Sequence, residues 1–563
     1  MGDNTGSTPS WEDLARDKRE RLAAKIPTEW RLKELPTTDS VIDFPRASGL
    51  LSATEIGITE TSASSLVADL AAGRLKSVNV VLAFCKRAAI AQQLTNCMLE
   101  FDTEMALARA KVLDEYHAQH GKPVGPLHGL PVSLKDQLHV KGLETSMGYI
   151  AWLGKPATKE SVLTTLLRQA GAVFYTKTSV PQTLMVGETF NNIVGLTTNP
   201  RNKNWSPGGS SGGEGALLAL RGSCLGVGTD IGGSIRIPAA FNSLYGIRPC
   251  HGRLPYAGMA NSMAGQETIP SVVGPLGHSA ADLRLFMKAV LAQKPWLYDS
   301  KTVPLPWRQE IEDETLVKIK TKTLNIGFYE TDGMALPHPP ILRAIKEAVE
   351  KLKQAGHNVV PWTPYKHDVP YYLLKELDKA DAGADLHRDI SASGEPAIDL
   401  IKNYVYRHTK QLGNNEVWDL QTQKWRYQTE YLDQWREFEA TTLGPGAELD
   451  AIIAPVAPTA AVRHGKYRYY GYTGVLNMLD FTSVVVPVGF ADKDRDVPNT
   501  GYVPVSELDS DVQAEYDPEA YHGAPTAVQV IGRRLSEEKT LAIAEELGRL
   551  LHSQKTGPSV RAL

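Results

Sequence analysis

Two clusters of glycine and serine, residues 208–215 (GGSSGGEG) and 228–236 (GTDIGGSIR), constrain this chain more than any other feature. Ten of the 26 residues from Gly208 to Gly233 are glycine, against 47 among 563 in the whole chain. Glycine at that density permits positive φ angles and a close approach of the backbone to another group. A flexible linker is polar throughout, whereas apolar residues 216–220 (ALLAL) separate these clusters. The clusters therefore predict a site for nucleophilic chemistry, with serines held in glycine loops between apolar walls.

Composition and charge exclude several classes of partner. The chain is 42% hydrophobic and 22% charged, as is usual for globular proteins. Its 60 basic and 64 acidic residues give a net charge of −4, so no nucleic-acid partner is predicted. No apolar run approaches the roughly 18 residues of a membrane-spanning helix, and the N-terminus lacks the regions of a signal peptide. We therefore expect a cytoplasmic protein without membrane contact.

The cysteines and histidines show no pattern of a metal or cofactor site. Cys85, Cys97, Cys224 and Cys250 adjoin apolar residues without a C-x-x-C pair, which predicts buried thiols. The 14 histidines include no H-E-x-x-H motif and no tight His/Asp cluster. Neither glycine cluster ends in the Gly-Lys-Ser/Thr of a phosphate loop. No metal and no cofactor are predicted.

Apolar runs and helical patterns alternate along the chain. We predict helices over 78–94, 162–170, 340–355 and 536–552, and strands over 172–175, 324–328, 451–455 and 483–488. Continuous apolar runs such as 483–488 (SVVVPV) are typical of strands buried on both faces. The alternation, without a change in composition, predicts one large α/β domain over 61–563, preceded by a helical and extended arm over 1–60.

Residues 417–438 are rich in aromatic side chains: Trp418, Trp425, Tyr427, Tyr431 and Trp435. They either wall a ligand pocket or belong to the core. Their helical spacing favours the core.

The identity of the general base stays open on the residues alone. Residues 208–212 match the G-x-S-x-G elbow of α/β-hydrolases, but that elbow directly follows a strand, and residues 200–207 (PRNKNWSP) are typical of a loop. A serine nucleophile needs a positioned base. His128, His251 and His522 are candidates. Lys135 is another, because it follows the apolar residues 130–134 (LPVSL) and burial disfavours a charged lysine.

Three motifs together resemble the amidase signature family. They are residues 125–136 (GPLHGLPVSLKD) and the two glycine-serine clusters, in the family's order and with its 24-residue spacing between Ser210 and Ser234. Segments 42–45 (IDFP), 338–340 (HPP) and 521–525 (YHGAP) are similar to the fungal acetamidases of that family. The resemblance implies an α/β fold with a central mixed β-sheet covered by helices, and hydrolysis of amides without a cofactor.

The resemblance also implies a role for each catalytic side chain. The family's nucleophile falls on Ser234, its bridging serine, which follows a cis peptide bond, on Ser210, and its base on Lys135. Neutral Lys135 would accept a proton from Ser210, which relays one from Ser234 during attack on the amide carbonyl. The same relay would protonate the departing ammonia, and water would then release the acid.

Further residues are expected to support this chemistry. The resemblance places the oxyanion hole at the backbone N–H groups of Ile231, Gly232, Gly233 and Ser234. Asp230 and Arg236 are predicted to pair across the loop, Ser211 is predicted to hydrogen-bond within the lysine–serine relay, and His522 is expected to be structural.

The substrate is predicted less sharply than the chemistry. We expect a small aliphatic amide of the acetamide type. The alternatives are aryl or indole acetamides, longer acyl amides, an amidotransferase-like subunit that supplies ammonia, and a histidine-type serine hydrolase using Ser210 and His522. Segments 145–149, 181–185 and 467–472 are candidate walls of the acyl pocket. Members of the family are often dimers, so a homodimer is an open expectation.

Overall fold

The computed structural model describes residues 9–402 and 410–553. The strands of the central sheet are β1 (Met98–Phe101), β2 (Pro131–Lys135), β3 (Val173–Thr178), β6 (Leu225–Asp230), β7 (Tyr245–Arg248), β8 (Val272–Gly277), β9 (Asn325–Phe328), β10 (Asn358–Pro361), β11 (Ala451–Pro455), β12 (Ser483–Phe490) and β13 (Pro525–Ile531). The short strands β4 (Phe190–Asn191) and β5 (Gly195–Leu196) form a separate pair.

Helices surround these strands. They are α1 (Trp11–Ala24), α2 (Phe44–Ala47), α3 (Ala53–Glu60), α4 (Ala63–Ala71), α5 (Ser77–Thr95), α6 (Thr103–His120), α7 (Val162–Gln169), α8 (Gly212–Ala219), α9 (Arg236–Phe241), α10 (Ala280–Leu291), α11 (Gln309–Thr321), α12 (Pro339–Gln354), α13 (Asp368–Leu377), α14 (Ala384–Ser391), α15 (Asn414–Phe438), α16 (Gly471–Leu479), α17 (Glu507–Ala514), α18 (Pro518–Tyr521) and α19 (Glu537–His552). Short 3₁₀ turns lie at Thr28–Trp30, Ile150–Trp152 and Pro295–Leu297, and a π-helical turn lies at Glu439–Leu443.

Within the described residues, the central sheet has eleven strands in the order β1-β3-β2-β6-β8-β7-β12-β13-β11-β9-β10. Strands β3, β2 and β6 run parallel, as do β11, β9 and β10, and antiparallel pairs join the two groups. Strands β2, β3 and β6 are buried along their whole length, as expected for a sheet covered on both faces. The predicted α/β fold with a central mixed sheet covered by helices is confirmed.

The predicted helices and strands named above all occur, with ends within a few residues of the predicted ones. The apolar run at 451–455 forms β11, and the run at 483–488 lies within β12. All four cysteines are free and buried, so the prediction of buried thiols is confirmed. In the parts of the chain that the structure describes, we find no helix with the length and apolarity needed to cross a bilayer.

Helix α1 of the N-terminal arm lies against the sheet edge. Lys18 of α1 is 3% exposed and pairs with Glu100 of β1 and with Glu144, whose carboxylate lies 3.1 Å from the lysine nitrogen. Arg21, one turn later, also binds Glu144 at 2.9 Å. Buried ion pairs therefore fasten the arm, while its division from the rest of the chain as a separate unit stays a prediction.

Candidate active site

The carboxyl ends of two parallel neighbours, β2 and β6, meet at one edge of the sheet. Lys135 is the last residue of β2, and Asp230 is the last residue of β6. The Lys135 side chain is fully buried, and its Nζ lies 2.8 Å from Ser210 Oγ and 2.7 Å from Thr229 Oγ1. The structure thus brings together Lys135 and Ser210, which are 75 residues apart in the chain.

Burial also changes the proton affinity of this lysine. Removal from water disfavours the charged amine and lowers the pKa of Lys135 to about 7, although the carboxylates of Asp230 and Glu214 act in the opposite direction. A large fraction of Lys135 is therefore neutral at neutral pH and has a free electron pair to accept a proton.

Ser210 lies in the loop that precedes α8. Its peptide bond to Gly209 is cis, in agreement with the family resemblance. A Cβ atom at Gly209 would lie 2.7 Å from the backbone nitrogen and 2.8 Å from the backbone oxygen of Glu188, so only glycine fits there. Residues 206–209 are not in a strand, which agrees with the rejection of the α/β-hydrolase elbow.

The second cluster is organised around the carboxylate of Asp230. Arg236 donates to both of its oxygens at 3.0 Å, and both side chains are fully buried. Asn477 of α16 also donates to Asp230, at 2.9 Å. Burial raises the pKa of Asp230, but the Arg236 guanidinium outweighs that effect and holds the pKa well below its usual range. The structure therefore contains the predicted pair of Asp230 and Arg236.

The four backbone donors predicted for the oxyanion hole differ in their partners. The N–H of Gly233 donates to Asp230 Oδ1 at 2.8 Å, so this group already has an acceptor. The structure gives the N–H groups of Ile231, Gly232 and Ser234 no acceptor among the described residues. These three residues line a cavity, whereas Gly233 does not.

Ser211 links the two clusters. Its N–H donates to the carbonyl oxygen of Ser234 at 3.2 Å. Its hydroxyl donates to the carbonyl oxygen of Thr229 at 3.5 Å, and Lys135 Nζ lies at the same distance from that oxygen. Ser211 is therefore next to the lysine–serine pair and shares an acceptor with the lysine.

The cavity beside Ser234 has a volume of about 310 Å³. Its floor includes Gly209, Ile231, Gly232 and Ser234. Its walls come from residues 184–188, from Ile237, from Leu400, from Tyr467, Arg468 and Tyr470, and from Tyr371, Leu374, Lys375 and Asp378 in and just after α13. Parts of two predicted wall segments, 181–185 and 467–472, therefore line the cavity.

Segment 145–149 lies outside this cavity. It is held instead by Asp136, which accepts the N–H and hydroxyl of Ser146 at 2.8 Å. Sequence reasoning also missed α13, because its residues carry no motif that distinguishes a cavity wall from any other amphipathic helix.

The aromatic segment at 417–438 forms α15 and does not line the cavity. Tyr427, Tyr431 and Trp435 are buried, as the core interpretation predicts. Trp418 and Trp425 are 60% and 62% exposed, so for these two residues that interpretation is wrong.

The candidate histidines lie away from the cavity. His522 is exposed, and its Nδ1 accepts the backbone N–H of Lys493 at 3.3 Å. His128 accepts the N–H of Val124 at 3.1 Å. His251 belongs to a different, smaller cavity. Among the described residues, no group of three or more His, Cys, Asp or Glu side chains is arranged to hold a metal ion.

A buried lysine–serine pair beside a cavity, at the edge of the sheet of an α/β fold, is an arrangement suited to nucleophilic catalysis. The particular family follows from a match to the family model described as Amidase, which covers residues 79–541, so this chain belongs to the amidase family. The predicted family and enzyme class are confirmed.

Known relatives cover nearly the whole chain. It is 66% identical to an acetamidase of Emericella nidulans over 96% of this chain and 98% of that one. It is 63% identical to an acetamidase of Aspergillus oryzae, over 96% and 99% of the two chains. The solved structure of a fatty acid amide hydrolase is similar with a TM-score of 0.88 and 35% identity, over 96% of this chain and 94% of that one.

The two glycines of the second loop differ in what a side chain would meet. Gly233 has φ +134°, and a Cβ there would lie 2.4 Å from Thr473 Oγ1, whereas a Cβ at Gly232 meets nothing within 4 Å. We expect Gly233→Ala to lower the free energy of unfolding by more than about 2 kcal/mol, through backbone strain and overpacking. The matched variant Gly232→Ala should change it by less than about 1 kcal/mol. Urea unfolding of both variants measures the difference, and equal losses would contradict this account of the loop.

Proposed function

We propose that this amidase hydrolyses small aliphatic amides of the acetamide type to a carboxylate and ammonia. The observation that carries the proposal is the contact of 2.8 Å between the buried Lys135 amine and the Ser210 hydroxyl, beside a cavity that Ser234 lines. The choice of a small acyl group is supported by the acetamidases that are 66% and 63% identical over nearly the full length.

In the proposed mechanism, Ser234 is the nucleophile. Its oxygen attacks the amide carbonyl carbon, its proton passes to Ser210, and the Ser210 proton passes to Lys135. When the tetrahedral intermediate collapses, the C–N bond breaks and the relay returns one proton to the leaving nitrogen, which departs as ammonia. Water then attacks the ester on Ser234 by the same route and releases the carboxylic acid.

The backbone around Ser234 stabilises the negative oxygen of each tetrahedral intermediate. We assign the donors to Ile231, Gly232 and Ser234, whose N–H groups have no acceptor among the described residues. Gly233 serves differently, since its N–H holds the loop on Asp230. Preorganised donors of this kind are each worth about 10²–10³ in rate in comparable sites.

Longer or aromatic amides are the second candidate substrates. The cavity volume of about 310 Å³ lies at the lower end of the range for drug-sized ligands. Leu184, Met185, Leu374 and Leu400 give it apolar walls that suit an alkyl or aryl group. The amidotransferase-like role, the homodimer and the cytoplasmic location stay predictions.

A substrate series separates these candidates. We expect ammonia release by the purified single chain to have its highest kcat/KM with acetamide or propionamide and to fall for hexanamide, phenylacetamide and indole-3-acetamide. A kcat/KM at least about tenfold higher for an aromatic amide would replace the first candidate with the second. If no amide in the series is hydrolysed, the amidotransferase-like role is favoured.

A panel of variants tests the assigned roles. Ser234→Ala and Lys135→Ala should each lower kcat/KM for acetamide by about 10⁴-fold or more, and Ser210→Ala by at least about 10²-fold. His522→Ala is the control and should stay within about twofold of wild type, because its ring is exposed and outside the cavity. Circular dichroism confirms that each variant is folded. Loss of turnover in His522→Ala, with Lys135→Ala active, would establish a histidine base instead.

The pH dependence follows from the lowered pKa of Lys135. The base must be neutral, and protonation below a pKa of about 7 removes its free electron pair. We therefore expect kcat/KM for acetamide to fall about tenfold per pH unit on the acidic side of that value. Initial rates between pH 5 and 9 measure this limb. A profile that is flat down to pH 5 would contradict a lysine base.

A further inference from the structure

A buried carboxylate outside the assigned catalytic groups joins the elements that carry Lys135 and Ser210. Glu214 lies in the first turn of α8, four positions after Ser210, and its side chain is fully buried. One carboxylate oxygen accepts the hydroxyl of Ser133 on β2 at 2.5 Å, and the other accepts the hydroxyl of Thr178 on β3 at 2.8 Å. A single side chain thus connects the start of a helix to two neighbouring strands.

Both anchoring hydroxyls lie close to the lysine. Ser133 is two residues before Lys135, and alternate residues of a strand project from the same face. Thr178 is the register partner of Lys135 on the adjacent strand. Glu214 therefore binds β2 two residues before Lys135 and binds β3 at the residue paired with Lys135.

The Glu214 carboxylate lies against Gly226 of β6, where any side chain would collide with it. A Cβ atom at Gly226 of β6 would lie 2.0 Å from Glu214 Oε2 and 3.0 Å from Ser133 Oγ. On the other side of the helix start, a Cβ at Gly213 would lie 2.4 Å from the backbone nitrogen of Ser179. The first turn of α8 is consequently packed too closely against the sheet to shift while Glu214 keeps its two partners.

We infer that Glu214 is a positioning residue: by fastening the first turn of α8 to β2 and β3, it holds Ser210 at hydrogen-bond distance from Lys135. The inference rests on the proposed function of that pair. Reactive groups displaced by about 1 Å lose on the order of 10²-fold in rate, so a tether so close to the relay has a large effect on turnover.

The charge of Glu214 provides a readout that a purely structural residue would not move. Desolvation raises the pKa of Glu214 to about 7, and its negative form raises the pKa of Lys135. Asp230 also raises the pKa of Lys135. The negative charge of Glu214 raises the pKa of Tyr175 and of Cys97 as well. Where Glu214 is ionised, removal of its charge therefore makes Lys135 easier to deprotonate.

Glu214→Gln tests the effect of the Glu214 charge on Lys135 with little change in side-chain shape. The amide oxygen can accept from Thr178, and the NH₂ group can donate to Ser133, whose own proton then goes to Ser223 at 3.0 Å. Because Glu214 is itself increasingly protonated below its pKa of about 7, we expect the acid limb of kcat/KM for acetamide to move to lower pH by less than about half a unit. Glu395→Gln is the matched control, because Glu395 is also buried and held by neutral donors, and its acid limb should stay in place.

Variants that remove the tether test positioning separately. Glu214→Ala should lower kcat by about 10²-fold with KM for acetamide unchanged within about threefold, because Glu214 does not line the cavity. Ser133→Ala removes one anchor and should lower kcat with KM for acetamide unchanged within about threefold. If Glu214→Ala does not fold, the pH profile of Glu214→Gln and the kcat of Ser133→Ala decide.

Wild-type kcat in the folded Glu214→Ala and Ser133→Ala variants, or an acid limb of Glu214→Gln that moves to higher pH, overturns the inference. Failure of the proposed function has a different signature, namely retained turnover in Lys135→Ala or Ser234→Ala. The two failures are therefore distinguishable on the same set of purified proteins.

Discussion

The burial of the Lys135 amine against Ser210 is the constraint on which the rest of the site depends. A charged amine without water is costly, so this position favours the neutral form that can accept a proton. The hydroxyls of Ser210 and Thr229 are hydrogen-bond partners of this buried amine. The parallel pairing of β2 with β6 brings the lysine and the second glycine loop to the same edge.

The second loop depends on a different arrangement, a fully paired carboxylate. Asp230 is ionised because Arg236 and Asn477 bind it, and it receives the N–H groups of Gly233 and Ile235 at 2.8 and 3.2 Å. These bonds fix the turn on both sides of Ser234. Donors held in this way need no reorganisation when charge develops on the substrate, which is the basis of electrostatic catalysis.

The parts of the site that the sequence predicts are those in which local pattern and chemistry coincide. The apolar run before Lys135 predicts a buried strand end, and the glycine-serine clusters predict loops with reactive serines. The acceptor of the Gly233 N–H is Asp230, three residues earlier in the same loop, but a glycine pair in a motif does not say which amide turns inward. The aromatic residues of α15 lie on two sides of the helix, and their spacing does not say which side packs. Trp425 is exposed, whereas Tyr427, on the other side, is buried.

The wall of the cavity and the turn that carries Ser210 come from different parts of the chain but are in contact. Glu188 accepts the N–H groups of Gly465 and Tyr467 at 2.9 and 3.0 Å, and its backbone abuts Gly209. A Cβ at Gly187 would lie 2.5 Å from the Tyr467 ring, so a change of that side chain reaches the segment next to Gly209. Helix α13 forms the wall with Tyr371 and Leu374, and the contacts described for the Ser210 turn do not include it. We therefore expect substitutions in α13 to act mainly on the cavity, and substitutions at Tyr467 to act on both the cavity and the position of Ser210.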